Sequence, residues 1–146
     1  MGYFSSLDVS ASGLTAQRMR MDLISQNIAN ASTTRTADGT PYRRQVLVLG
    51  SDNSTSFSHY LSGSSKDLLA NGKVKIQGVV EDQSDFRKVY EPDNPEADEE
   101  GYVYYPNVDI VTEMVDMISA SRSYEANVTA STASKNMAMQ ALNIGR

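Results

Sequence analysis

Cysteine is absent from the 146 residues, which excludes disulfides, thiolate zinc sites and a cysteine nucleophile. Histidine is nearly absent too. His59 stands alone in a Ser-rich stretch beside Tyr60, and a single imidazole without thiolates is a poor basis for a transition-metal site. No G-x-S-x-G turn accompanies it, so a hydrolase triad has no support. There is no P-loop and no G-x-G-x-x-G, and hence no nucleotide motif. No cofactor is expected.

Long apolar runs are also missing. The longest is Val46-Leu47-Val48-Leu49, far short of the ~20 residues a bilayer requires. The N-terminus lacks a basic stretch followed by an apolar one, so neither a cleaved secretory signal nor a transmembrane segment is expected. Positive charge is in deficit, with 13 Lys and Arg against 18 Asp and Glu, a net charge of −5. That balance disfavours nucleic acid, whose partners carry basic patches. The apolar fraction of 40 % is ordinary for a folded chain of about one domain.

The acidity is local. Residues 81–100 hold nine of the 18 acids and two of the 13 bases, leaving the rest of the chain mildly basic. Asp93 to Gly101 invites comparison with a calcium loop. However, Pro95 and Ala97 occupy positions where oxygen ligands belong. A glycosidase needs two carboxylates held at a set separation in a cleft, and a loop broken by Pro92 and Pro95 is a poor frame for that. A solvated loop is the favoured reading.

What is present falls into three zones, residues 1–34, 35–106 and 107–146. In the first, Phe4, Leu7, Ala11, Leu14, Met21, Ile24 and Ile28 recur at helical steps from Ser5 to about Asn30. Leu7, Leu14, Met21 and Ile28 are seven apart, the repeat that keeps a seam facing a partner helix. Ser5 with Asp8 reads as a capping box, and Phe4 as a staple onto Val9. Gly13 costs about 1 kcal/mol against Ala inside a helix, a cost compatible with close approach of another helix. In the last zone, Val108 to Asn143 runs without Gly or Pro, with Asn107 as the expected N-cap. Val111, Met114, Ile118, Val128, Met139 and Leu142 lie near one stripe. Small residues such as Ala120, Ser123, Ala126 and Ser131 fill the spaces. Such a helix would be ~36 residues and ~54 Å long, a length suited to a coiled coil or a fibrous assembly.

The middle zone carries strand signals at Gln45 to Leu49, Val74 to Val80, Phe86 to Tyr90 and Tyr102 to Tyr105. Ser51 to Ser65 and Glu91 to Gly101 read as loops. The expected fold is α+β, with long N- and C-terminal helices packed as a coiled-coil-like pair around a small β-rich insert. The expected packing faces are Leu7, Ala11, Leu14, Met21, Ile24 and Ile28 on the first helix, and Val111, Met114, Ile118, Val128, Met139 and Leu142 on the last. Met19, Met21, Met114, Met117, Met137 and Met139 all fall in these helices, where flexible side chains fill interhelical gaps. Arg18, Arg20, Asp22, Glu113, Asp116, Arg122, Glu125 and Lys135 are candidates for setting register. Arg43 and Arg44, just before a strand, read as ordinary edge charges.

Leu14-Thr15-Ala16-Gln17-Arg18-Met19-Arg20-Met21-Asp22, leading into Asn27-Ile28-Ala29-Asn30-Ala31-Ser32-Thr33, resembles the N-terminal signature of bacterial flagellar rod and hook proteins. Asp85 to Pro92, Gly101 to Val108, Ser123 to Val128 and Ala141 to Arg146 resemble, more narrowly, the proximal rod type within that axial family. Residues 57–71 match least.

The resemblance implies a structural subunit of the basal-body rod, not an enzyme. It implies export without processing through the flagellar type III apparatus, and residence in the rod within the cell envelope. It further implies torque transmission from the inner-membrane ring towards the hook. The implied partners are other rod subunits, the rod-to-ring adaptor and copies of itself in a helical array. The readings weighed against it are another rod subunit and a type III secreted binding protein, with an enzyme a distant third.

Overall fold

In the computed structural model the described residues are 3–51 and 72–144, with side chains for 6–51 and 72–143. His59, most of the Ser-rich loop, residues 57–71 and the Phe4 side chain lie outside them. The chain is α+β. Helix α1 spans Tyr3–Ala29 and helix α2 Ile110–Ile144. Between them come β1 Gln45–Ser51, β2 Val74–Glu81, β3 Arg87–Tyr90 and β4 Tyr102–Tyr105. β1 pairs with β2, and β3 with β4.

The chain folds as two compact units. One gathers the described parts of Met1–Met19, Val48–Gly78 and Ala120–Arg146; the other gathers Arg20–Leu47 and Val79–Ser119. In the first unit small residues are buried. Ala16 and Ala120 are both buried, and a Cβ placed on Gly13 would stand 3.2 Å from Asn127 Oδ1. Gly13 therefore sits where another side chain crowds α1. Lys73 reaches Asp8 at 2.8 Å, and the Val74 amide donates to Ser12 Oγ at 3.1 Å, tying the start of β2 to α1.

In the second unit β3 and β4 are antiparallel, with Arg87 opposite Tyr105, Lys88 opposite Tyr104, Val89 opposite Val103 and Tyr90 opposite Tyr102. Side-chain pairs across the strands stabilise such a ladder. Here Arg87 and Lys88 sit over the rings of Tyr105 and Tyr104, at 5.3 Å and 5.2 Å. The Tyr90 and Tyr102 rings meet edge to face at 5.4 Å. Val103 is buried, and with Pro106, Val108, Leu23, Ile24 and Ala31 it forms the small apolar centre of this unit.

The hairpin loop owes its shape to its own acids. Asp98 Oδ1 accepts from the Glu100 and Tyr102 amides at 3.0 Å and 2.8 Å, an Asx-type turn. Gly101 takes φ +81°, a conformation that suits glycine. The Glu91 amide donates to the Gly101 carbonyl at 2.9 Å. Asp98 is thus a turn-building acceptor rather than a freely solvated charge.

Both helix starts differ from the sequence expectation. α1 already includes Ser5, so Ser5 is no cap; helix continues through it towards Tyr3. At α2 the cap is Asp109, not Asn107. Asp109 Oδ1 accepts from the Val111 amide at 3.1 Å, and its Oδ2 from the Thr112 hydroxyl at 2.7 Å. This satisfies a donor that a helix N-terminus otherwise leaves open.

Those hydrogen bonds, Thr112 first and then Val111, hold the Asp109 carboxyl below its ordinary value of 3.8. The unfolded chain therefore binds this proton more readily, and stability rises with pH across the window. The contribution is complete above 3.8 and is lost as pH falls through the lowered folded value. Asp109→Asn is expected to remove that part of the acid slope when urea midpoints are measured from pH 5 down to about pH 2.

Candidate assembly interface

Asn27 and Glu113 are each 1 % exposed, the only buried polar residues among those described. Their positions follow from helical spacing. Asn27 lies one turn beyond Leu23 and Ile24 on the buried side of α1. Glu113 opens a line on α2 that continues through Met117, Ala120, Tyr124, Asn127, Ser131, Ser134 and Ala138. Its steps alternate between four and three residues, the spacing of a coiled-coil seam.

Asn27 is fully satisfied. Its Nδ2 donates to the Gln45 carbonyl at 2.9 Å and to Glu113 Oε2 at 3.2 Å. Its Oδ1 accepts from the Tyr42 hydroxyl at 2.9 Å and the Gln45 amide at 3.0 Å. Two donors and two acceptors are all that an amide offers. One side chain thus fastens α1, the start of β1 and α2 within this unit.

Glu113 is paired as a buried charge must be. Arg44 Nε donates to Glu113 Oε1 at 2.7 Å. The same guanidinium lies 3.6 Å from Asp116 Oδ2 and 3.8 Å from Asp82 Oδ2. Hydrogen bonds from Ser84, and secondarily the Arg44 and Arg43 charges, hold the Asp82 carboxyl below its ordinary range. Burial, then the Glu113 charge, pushes the Tyr42 phenol up.

Asn107 does other work than capping. Its Oδ1 accepts from the Arg44 amide at 2.9 Å, and its Nδ2 donates to the Asp82 carbonyl at 3.1 Å and to Ser84 Oγ at 2.8 Å. Nor are Arg43 and Arg44 ordinary edge charges. Arg44 faces three carboxylates, and the Arg43 guanidinium lies 4.4 Å from the Phe86 ring centroid.

The sequence-derived packing residues divide differently. Ile24 is buried; Leu7, Leu14, Met21 and Ile28 are half-buried and Ala11 is exposed. On α2, Val111, Met114, Ile118, Val128, Met139 and Leu142 are all exposed, from 41 % at Val128 to 75 % at Leu142. Ile110, Val115 and Met137 are exposed as well. α2 therefore turns small and polar groups inward and much of its large apolar area outward. No described helix is long and apolar enough to cross a membrane.

Residues 7–35 match the family described as flagella basal body rod protein, and residues 99–144 that described as flagellar basal body rod FlgEFG protein C-terminal. The flagellar basal-body rod protein FlgC of Bacillus subtilis (strain 168) is 50 % identical over 153 residues, covering all of both chains. The chain belongs to the FlgC family of flagellar basal-body rod proteins. FlgC of Borreliella burgdorferi is 46 % identical, covering 99 % of this chain and 98 % of its own. FlgC of Escherichia coli O6:H1 is 39 % identical over the whole of both chains.

Membership makes this chain a structural component of the flagellar basal-body rod, built to assemble with other rod components, and not an enzyme. The Asn27 region lies inside the matched N-terminal segment and Glu113 inside the C-terminal one. No local signal joined them, because Glu113 reads as a register-setting charge on one helix and Asn27 as part of a motif on the other, 86 residues away.

Proposed function

We propose that this chain is a subunit of the proximal rod, part of the shaft that carries torque from the inner-membrane ring towards the distal rod and hook. The observation that supports it best is the exposed apolar face of α2 at Val111, Met114, Ile118, Val128, Met139 and Leu142. On α1 the corresponding packing positions are Leu7, Ala11, Leu14, Met21, Ile24 and Ile28. Long helices laid side by side resist twist because packed interiors are dense and yield little. The partners are copies of this chain in a helical array, other rod subunits and the rod-to-ring adaptor. The subunit reaches the periplasmic rod through the flagellar type III apparatus without losing a signal peptide.

Mass spectrometry of purified basal bodies tests this reading. The chain should be found in particles that retain the rod, starting at Met1 or Gly2. Particles with intact rods but without the chain would rule out the rod role. A chain trimmed by a signal peptidase would rule out the export route.

A further inference from the structure

An exposed knob and an open hole stand on different parts of the second unit. Tyr90 is 63 % exposed, the most exposed aromatic side chain among the described residues. It projects from the end of the β3–β4 hairpin, steadied by Tyr102. The carboxylates of Asp93, Glu99 and Glu100 in the adjoining loop make no hydrogen bond or ion pair among the described residues. The hole is a cavity of about 300 Å³ with Pro41, Phe86 and the buried Val103 among its lining residues. Arg35 stands in its wall with no hydrogen bond or ion pair among the described residues. The one carboxylate there, Glu96, already accepts from the Thr34 hydroxyl. That hydroxyl is neutral and leaves Glu96 charged, but the Arg43 guanidinium over the Phe86 ring and the Lys88 ammonium over the Tyr104 ring add to Arg35, so cations outnumber the carboxylate around the hole, whereas the knob's loop is negative.

Tyr90 does not fill the hole of its own chain. It lines a separate groove with Pro92 and Pro95. We propose that Tyr90 and its acidic loop dock into the Arg35–Phe86–Tyr104 cavity of a second copy of this chain. The ring takes the apolar floor, and a loop carboxylate pairs with Arg35. Two different surfaces meet, so the contact is heterologous and repeats from copy to copy instead of closing on a twofold axis. A tyrosine side chain brings roughly 150–250 Å², well short of the roughly 1,200–2,000 Å² of a stable interface. The contact therefore forms where other contacts already hold copies together, and the purified chain does not dimerise through it.

The contact rests on the rod-subunit reading, and the test separates the two. A benzophenone amino acid placed at position 90 keeps an aromatic knob and cross-links on illumination of cells bearing basal bodies. The expected product is a dimer of this chain, with the adduct mapped to residues 34–41, 86 or 104 of the second copy. Arg35→Glu in the same background is expected to lower its yield about tenfold. An adduct to a different rod protein, a dimer joined elsewhere, or rods that contain the chain and give no adduct would each overturn the contact while leaving the rod role standing. Rods lacking the chain altogether would overturn both.

Discussion

Arg44→Ala is expected to destabilise the chain by about 3 kcal/mol, the low end of the cost of stranding one member of a buried ion pair. Arg44 is itself 25 % exposed, which is why the lower figure applies, but Glu113 is 1 % exposed and has no other cationic partner among the described residues. Removing the guanidinium leaves a buried carboxylate whose only remaining donor among the described residues is Asn27. In a thermal melt the loss should lower Tm by roughly 10 °C, taking about 2–4 °C per kcal/mol for a chain near this size. Asp82 and Asp116 are about one-third exposed, and their ion pairs with Arg44 contribute little. Arg44→Met combined with Glu113→Leu should therefore cost less than Arg44→Ala alone, because no charge is left stranded. A double variant as unstable as the sum of its single variants would show that the two side chains act independently.

Met114→Asp should have the opposite profile, with stability nearly unchanged and assembly lost. Met114 is 48 % exposed on the outer face of α2, and surface substitutions away from special features usually shift stability by no more than about 0.5 kcal/mol. If neighbouring subunits cover this face, the new carboxylate is buried unpaired, at a cost of several kcal/mol. At about 1.4 kcal/mol per factor of ten, incorporation into basal bodies should fall about a hundredfold or more. Quantitative immunoblots of purified basal bodies, set against urea midpoints of the purified chain, read both quantities. Normal incorporation would remove Met114 from the packing face. A large loss of stability would mean that the residue belongs to the fold of the single chain.

The fold was legible where local chemistry decides it. α2 needed only an uninterrupted run of helix formers, and the strands needed their Val and Tyr bounded by Gly, Pro and acids; β4 matches its expected bounds. The inner seam was not legible. Leu7, Leu14, Met21 and Ile28 carry the apolar repeat, yet the residues the chain buries on α1 include Ala16, Leu23, Ile24 and Asn27. Apolar periodicity reports the largest side chains, whereas closely spaced helices bury small ones and bridge the remainder with hydrogen bonds. In α2 the same effect sends Ala120 inward and Ile118 outward. The polar node was hidden for a further reason. Its members are separated by up to 86 residues, and nothing local to Arg44 announces that three carboxylates converge on it. Asn107 illustrates the point. Beside a helix start it reads as a cap, but Asp109 holds that place, and Asn107 instead joins Arg44 to the end of β2.

Electron cryotomography of cells lacking only this gene tests the central claim most directly. A rod subunit predicts inner-membrane rings carrying an absent or truncated rod and no hook, with complete basal bodies restored when the gene is returned. Complete rods and hooks in the deletion strain would contradict it.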